Sequence, residues 1–195
     1  EELGTAFGVT PVEQVKQDPY VFLSEKAEET NTVYIFINDY LDFDQRQVEE
    51  LLNFASQGNT VFMSANYFGT GIEDTLGFYG ELIYNPTSAN LTTELKPAFF
   101  NPALADTSIV FEKGVRKTIF TKIDTLNTVA LGYYRTEEPA LAQLNFIEIT
   151  HGNGRFIINS LPEAFSNYYI LQEQQAYAAN LVSFLEGDKI FWDSH

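Results

Sequence analysis

The strongest constraint on the fold is a strand–helix–strand pattern in the first third of the chain. The run Val-Tyr-Ile-Phe-Ile at 33–37 is continuously apolar, which is typical of a strand buried on both faces of a parallel sheet. Asp44 and Gln47 have the spacing of a capping box, so a helix is expected to begin there and to end at Gly58. A second apolar run follows at 60–63. The pattern predicts a βαβ unit, with a right-handed crossover between two parallel strands.

The remaining segments predict one α/β domain over residues 1–195. We expect three layers around a mainly parallel central sheet, with an antiparallel β-rich excursion at 79–149. The individual predictions are the tail of a helix at 1–7, a strand at 12–15, a helix at 72–76 with a Thr70–Glu73 capping box, strands at 81–85, 91–95, 108–111, 117–121, 128–134 and 142–149, a tight hairpin turn at 151–154, a strand at 155–159, a helix at 174–186 ended by Gly187, and a strand at 189–193.

Charge and composition exclude several classes of function. The net charge is −16, and fourteen of the 27 acidic residues lie within residues 1–77, beside only three basic ones. Such a field repels polyanions, so neither a nucleic acid nor an anionic membrane surface is expected as a partner. The chain contains no Cys, which excludes thiol nucleophiles, thiolate metal sites and disulfides.

The two ends of the sequence resemble cut ends, and flanking segments are expected beyond them. The chain begins Glu-Glu-Leu-Gly and closes directly after a strand-like segment. It holds no apolar run long enough to span a bilayer. The domain itself is therefore not expected to cross a membrane.

Three motifs of known chemistry are present only in part, and no catalytic residue, metal or cofactor is predicted from them. Gly69-Thr-Gly71 precedes a helix, but Glu73 in its first turn would repel a phosphate. Asp39, Asp42 and Asp44 lack the glycine and the closing glutamate of a calcium loop. The sequence contains no Gly-x-Ser-x-Gly motif whose serine His151 could activate as a nucleophile.

One group of residues has a physical rationale as a binding site. Ligands of open parallel sheets bind beyond the carboxyl ends of the strands, and polar or aromatic side chains follow the strands predicted here. Such a rim favours hydrogen bonding to a neutral ligand or to a loop of a protein partner, although polar residues also simply end strands. The candidate residues are Asn38, Asp39, Asn66, Tyr67, Asn159, Ser160 and Asn167.

Two stretches of sequence carry a resemblance to known families. Residues 34–38 and the helix–Gly–Asn–Thr–strand pattern at 51–62 resemble the core of proteins with a class I glutamine-amidotransferase-like fold, especially the ThuA-like and GldG-like group. Residues 152–171, with the runs at 177–185 and 190–193, look like the end of an uncharacterised bacterial family known only as a domain of unknown function.

The resemblance implies an amidotransferase-like fold that lacks the catalytic residues of the amidotransferases. Amidotransferases of this kind place a nucleophilic Cys at a strand-to-helix elbow and a His-Pro-Glu near the last strand. This chain has no Cys, and Leu161 precedes Pro162-Glu163 where the histidine would stand. The chain is therefore expected not to be an enzyme of that class.

The family resemblance also implies a location. Members of the look-alike family commonly carry transmembrane helices on both sides of this domain and occur beside MoxR-type ATPases and von Willebrand A-like membrane proteins. By this likeness we expect an extracytoplasmic (periplasmic) domain of a membrane-anchored bacterial protein, with protein partners in a membrane-associated assembly.

Three functions stay open on the sequence. The first is a non-catalytic interaction or ligand-sensing domain that uses the strand-exit residues. The second is a carboxylate-based hydrolase or carbohydrate-processing enzyme of ThuA-like type, with Asp39 and Glu163 as its acid/base pair. The third is a structural spacer, which would have no concave site at the strand exits.

Overall fold

The computed structural model describes residues 10–83, 91–92, 94–104, 109–136, 143–172 and 174–195. The predicted helix at 1–7 lies outside the described residues. None of the described helices is long and apolar enough to span a bilayer. In chain order the strands and helices are β1 (Val12–Val15), α1 (Pro19–Ser24), β2 (Thr32–Ile37), β3 (Tyr40–Leu41), α2 (Gln45–Ser56), β4 (Thr60–Ser64), β5 (Tyr67–Phe68), α3 (Thr70–Leu76), β6 (Phe78–Leu82), β7 (Leu91–Thr92), β8 (Pro97–Phe99), β9 (Val115–Arg116), β10 (Thr118–Ile123), β11 (Thr128–Tyr134), β12 (Gln143–His151), β13 (Gly154–Asn159), α4 (Asn167–Ile170), α5 (Gln175–Val182) and β14 (Lys189–Asp193).

A mixed eight-stranded sheet organises the fold, with the order β1-β14-β2-β4-β13-β12-β11-β8. The strands from β1 to β13 in this order pair in parallel. The strands from β13 to β8 pair antiparallel. The predicted α/β class is therefore confirmed, and the central sheet is parallel on one side and antiparallel on the other.

The predicted βαβ unit is confirmed as β2, α2 and β4. The capping box forms as expected, because Asp44 Oδ1 accepts from the Gln47 backbone N–H at 2.9 Å and Gln47 Oε1 accepts from the Asp44 N–H at 2.8 Å. Gly58 follows the helix with φ +97°, the left-handed region that favours glycine. The chain then enters β4, which pairs in parallel with β2.

Apolar side chains cover both faces of the sheet because the side chains of each strand alternate between them. Tyr34 and Phe36 of β2 join the core beneath α1, α2 and α3, whereas Val33 and Ile35 join the core beneath α4 and α5. Each core is rich in aromatic rings in edge-on contact, such as Phe22 with Phe191 at 4.8 Å. Burial on both faces explains why β2 is apolar throughout.

Two predicted helix ends were wrong. Helix α3 is capped by Gly69 rather than by Thr70, which is its first residue and makes no side-chain cap. A Cβ at position 69 would overlap Oδ1 of the exposed Asp42 side chain, so glycine at the cap lets Asp42 keep its position. Helix α5, predicted over 174–186, ends at Val182 with Ser183 as its cap, well before Gly187. Gly187 instead allows close approach to the backbone oxygen of Asn31, 2.9 Å from where its Cβ would lie.

The segment 79–149 is β-rich, and part of it extends the central sheet. Strands β8, β11 and β12 form the antiparallel side, while β6 pairs with β10 and β7 with β9 in separate ribbons. Strands at 128–134, 155–159 and 189–193 were predicted almost to the residue, and the hairpin turn at 151–154 joins β12 to β13. At 108–111 the described residues form only one bridge, between Phe111 and Leu95.

Asn59 ties three backbone segments together at the amino end of β4. Its side chain is fully buried. The amide oxygen accepts from Thr32 N at 2.9 Å, and the amide nitrogen donates to Glu29 O at 2.7 Å and to Phe54 O at 2.8 Å. Buried backbone groups need such partners, so this one side chain completes the hydrogen bonding of three backbone groups in two chain segments, residues 29–32 and the end of α2.

Replacing Asn59 should therefore destabilise the fold strongly. Asn59→Ala leaves three backbone groups unpaired, and we expect the free energy of unfolding, measured by urea denaturation, to fall by roughly 3 kcal/mol. Asn53→Ala is the matched control, because Asn53 is exposed on α2 and should change it by less than about 0.5 kcal/mol. Equal losses in the two variants would contradict this assignment.

Candidate functional site

A shallow cleft lies at the carboxyl ends of the neighbouring parallel strands β2, β4 and β13, where the chain leaves the sheet. Its volume is about 270 Å³. We call it the strand-exit cleft and define it by its lining residues, which are Ile37, Asn38, Asp39, Asn66, Pro162, Glu163, Phe165 and Ser166. The cleft lies at the edge of the sheet where the sequence predicted a site, beyond the carboxyl ends of the parallel strands.

Asn66 is the centre of the strand-exit cleft. Its side-chain nitrogen donates to Asp39 Oδ1 at 2.9 Å and to Glu163 Oε1 at 2.8 Å. Its backbone is fixed on both sides, since its N–H donates to Asp39 O and its carbonyl accepts from Thr118 Oγ1. Asn66 is only 2% exposed, so the orientation of its amide is set by the surrounding structure.

Glu163 enters the strand-exit cleft from the short 3₁₀ turn Pro162–Phe165 that follows β13. Its Oε1 also accepts from the backbone N–H of Arg116 at 3.4 Å. Its Oε2 is buried and has no hydrogen-bond partner among the described residues. Burial raises the pKa of Glu163, while the hydrogen bond from Asn66 opposes that shift. The site therefore holds one carboxylate that is costly to ionise.

Asp39 lies at the mouth of the strand-exit cleft and pairs with Arg116 of β9. The Nη1 atom of Arg116 lies 2.6 Å from Asp39 Oδ1, and both side chains are substantially exposed. An exposed pair of this kind contributes little to stability, at most about 1 kcal/mol. Asp39 and Glu163 share Asn66 as donor, so their bonded oxygens lie within about 6 Å of each other.

Asn159 and Ser160 lie beneath the cleft, fully buried, and support it. Asn159 Oδ1 accepts from Ser64 Oγ at 2.9 Å and from Leu161 N at 3.0 Å. Ser160 Oγ donates to Thr118 O at 2.6 Å. The sequence analysis placed both side chains at the surface as ligand contacts. In the structure neither reaches the surface, and both lie one layer beneath it.

The other predicted residues divide into those at the cleft and those beside it. Asn38, Asp39 and Asn66 line it. Tyr67 lies next to Asn66 on β5 and is exposed, with its ring centroid 6.1 Å from that of Tyr40. Asn167 is exposed at the start of α4 and is not among the lining residues.

Sequence reasoning missed the charged partners of this site. Arg116 is one of six basic residues within 79–149, and no local pattern distinguishes it from the others. Glu163 was considered as half of an acid pair but was not included among the rim residues, because it follows β13 only after an intervening Ser-Leu-Pro. A count of charged residues within four positions of each predicted strand exit would have found Glu163.

The chemistry available in the strand-exit cleft is hydrogen bonding and charge. Two carboxylates and one buried amide converge, and the residues that the structure describes hold no group of three or more His, Cys, Asp or Glu side chains placed to bind a metal. Among the described lining residues Ser166 is the hydroxyl and no histidine accompanies it. The arrangement can orient a bound group through these carboxylates and the amide.

Comparisons with known proteins identify the fold. The N-terminal domain of mmIFT52 matches 94% of this chain and 88% of its own, with a TM-score of 0.66 and 12% identity. A beta-galactosidase from Bacillus circulans sp. alkalophilus matches 81% of this chain and 24% of its own, with a TM-score of 0.50 and 13% identity. Likeness at such identities shows the fold alone.

Residues 6–182 match the model of a family described as a domain of unknown function, DUF4350. None of the curated proteins compared with the chain matches it. The part of the predicted resemblance that concerned an uncharacterised domain is thereby confirmed. The finer prediction of ThuA-like or GldG-like amidotransferase layering is not supported by these findings and stays a prediction.

The raised pKa of Glu163 predicts a pH dependence. We expect the carboxyl carbon of Glu163, followed by NMR, to titrate at higher pH in the folded protein than in the chain unfolded in urea. The Asn66→Leu variant, which removes the hydrogen bond to the carboxylate, should raise that midpoint further. A midpoint unchanged by folding would contradict the assignment.

The raised pKa of Glu163 also determines in which direction the stability of the protein changes with pH. A carboxyl whose folded pKa is raised favours folding at acidic pH, and this contribution is lost as the pH rises through the folded pKa. The free energy of unfolding of Glu163→Gln should therefore gain on that of the unaltered protein as the pH rises above the usual pKa range of a Glu carboxyl. A difference that stays constant, or that shrinks, would argue against a buried carboxylate at this site.

Proposed function

The chain belongs to the DUF4350 family of domains of unknown function, and from that starting point we propose that it is a non-catalytic binding domain. In this proposal the strand-exit cleft takes a small ligand or a segment of a protein partner. The observation that carries it is the buried amide of Asn66, which holds Asp39 and Glu163 in fixed positions. Preorganised polar groups at the carboxyl ends of parallel strands are a common basis of ligand binding in α/β folds.

Binding accounts for this geometry better than catalysis. Asp39 is paired with Arg116, and Glu163 is held by Asn66, so each carboxylate already has a partner. Glu163 Oε2 is buried, which restricts proton exchange with a substrate at the surface. An acid/base pair would need one carboxyl free to reach the reacting atom.

The proposal also covers the cellular location of the domain and the arrangement of its layers. We propose that the domain lies on the extracytoplasmic face of a bacterial membrane, anchored by flanking segments, with protein partners in a membrane-associated assembly. The support is the resemblance of residues 33–64 and 152–193 to a bacterial family of that organisation. The same resemblance supports a glutamine-amidotransferase-like arrangement of the layers, without the cysteine of that chemistry.

A carboxylate-based hydrolase is the second candidate, favoured by one observation. Asp39 Oδ1 and Glu163 Oε1 lie within about 6 Å of each other, and glycosidase acid pairs are separated by roughly 5 to 9 Å. The raised pKa of Glu163 would suit a general acid.

Binding at the strand-exit cleft can be mapped directly. We expect a set of small polar compounds to shift the backbone amide resonances of Asn38, Asp39 and Asn66 in NMR spectra, and Asn66→Leu to abolish these shifts. The hollow of about 160 Å³ between α1 and α2, which Leu23 and Phe54 help to line, is the internal control and should stay unchanged. Shifts confined to that hollow would refute the proposal, and a complete absence of shifts would favour the structural spacer.

Turnover assays separate the two candidates. With chromogenic aryl glycosides and esters, we expect no saturable hydrolysis above that of the double variant Asp39→Asn/Glu163→Gln. The double variant keeps the size of both side chains while removing both charges. Saturable turnover that is lost in this variant would establish the hydrolase in place of the binding domain.

A further inference from the structure

Two tyrosines face each other where the chain leaves the central sheet. Strands β3 and β5 pair in parallel, and Tyr40 of β3 is the direct partner of Tyr67 of β5. Their ring centroids lie 6.1 Å apart, with an angle of 54° between the ring planes. Tyr40 is 54% exposed and Tyr67 is 45% exposed, so solutes can reach both rings. We call these two residues the tyrosine pair.

Backbone hydrogen bonds hold the tyrosine pair in register. The N–H groups of Asn66 and Tyr67 both donate to Asp39 O at 3.1 Å, and the Gly69 N–H donates to Leu41 O at 2.8 Å. The two rings are not enclosed, and exposed side chains change rotamer within nanoseconds. Rotation about the side-chain bonds can therefore bring the rings into contact while the backbone stays in place.

Tyr40 also has a proton acceptor in place. Its hydroxyl donates to Asp42 Oδ2 at 3.3 Å. The charge of Asp42 raises the pKa of Tyr40, so the phenol keeps its proton at neutral pH. A phenol that loses one electron becomes a strong acid, and a hydrogen-bonded carboxylate can accept the proton as the electron leaves. One-electron oxidation of Tyr40 therefore yields a neutral phenoxyl radical at this position.

The sulfur-containing side chains that oxidants attack readily do not compete with the tyrosine pair. The chain contains no Cys, and its one methionine, Met63, is fully buried. In the described part of the chain two further tyrosines, Tyr79 and Tyr168, are exposed to a similar degree. The tyrosine ring in contact with Tyr168 belongs to its neighbour Tyr169, which is only 3% exposed. Of the described tyrosine contacts, the tyrosine pair is thus the one with both rings open to an oxidant.

We propose that the tyrosine pair is a site of oxidative cross-linking, at which a haem peroxidase with hydrogen peroxide joins the two rings as dityrosine. Each ring loses one electron and its phenolic proton, and the two radicals couple through ring carbons ortho to the oxygens. The two ortho hydrogens then move to the oxygens as protons and restore both phenols. One hydrogen peroxide takes up the two electrons and two protons and becomes two waters.

The cross-link joins the two segments that frame the strand-exit cleft, because Tyr40 directly follows Asp39 and Tyr67 directly follows Asn66. It closes a covalent loop through α2 and β4, and such a closure restricts the unfolded chain in the way that a disulfide does. A chain without Cys has no disulfide to serve this purpose. The inference goes beyond the proposed binding function and does not depend on it.

The test treats the dilute protein, residues 1–195, with a haem peroxidase and a small excess of hydrogen peroxide. We expect dityrosine fluorescence in the monomer fraction from size-exclusion chromatography and a mass lower by two hydrogen atoms. Fragment spectra should join residue 40 to residue 67. The midpoint of thermal unfolding should rise by about 5 °C or more, because the unfolded chain is restricted. N-acetyltyrosine amide, treated in parallel, confirms that the oxidant couples phenols.

Single substitutions test whether the two named rings are the ones that couple. Tyr40→Phe and Tyr67→Phe should each abolish the cross-link in the monomer and the rise in the unfolding midpoint, since phenylalanine forms no phenoxyl radical. Tyr168→Phe is the matched control and should change neither, because Tyr168 is 47% exposed and also lies beside a tyrosine ring. Dityrosine found only in dimers, or joining residues 168 and 169, would overturn the inference. So would a protein that stays unmodified while N-acetyltyrosine amide couples.

Discussion

Buried backbone groups at the ends of the central strands need hydrogen-bond partners, and asparagine side chains supply them throughout this fold. Asn59 completes the backbone bonding at the amino end of β4, and Asn159 does so at the carboxyl end of β13. Where β4 leaves the sheet, the side chain of Asn66 instead bonds two other side chains, the carboxylates of Asp39 and Glu163. A side-chain amide both donates and accepts, so it can join a strand end to a neighbouring loop where water does not reach. The strand-exit cleft is built on this structural network.

Much of the fold could be predicted because local signals and tertiary packing agree. The strand β2, the capping box of α2 and the turn before β13 each follow from the chemistry of neighbouring residues. The errors occurred where packing decided the outcome. Gly69 caps α3 where a Cβ would meet the Asp42 side chain, and α5 ends at Val182 although apolar residues continue beyond it. Helix α1 was not foreseen, since six residues with a proline at the start carry no periodicity.

The candidate site was predictable in position more than in chemistry. The rule that sites lie beyond the carboxyl ends of parallel strands identified Asn38, Asp39 and Asn66. It did not reveal which side chains face the cleft, so Asn159 and Ser160 were placed at the surface although both are buried. It also missed Arg116, which is brought from 77 residues away in the chain by the pairing of strands in the β-rich segment. Contacts at such separation leave no trace in local sequence.

The position of β14 has a consequence for how the protein forms during synthesis. This strand lies between β1 and β2 and pairs in parallel with both. Residues 189–193 are therefore the last part of the parallel side to leave the ribosome. Until they do, β1 and β2 lack the strand that joins them across about 10 Å, and the early segments cannot close into the sheet. Until residues 189–193 are synthesised, the apolar strand β2 keeps one edge unpaired, and an unpaired apolar strand edge favours aggregation.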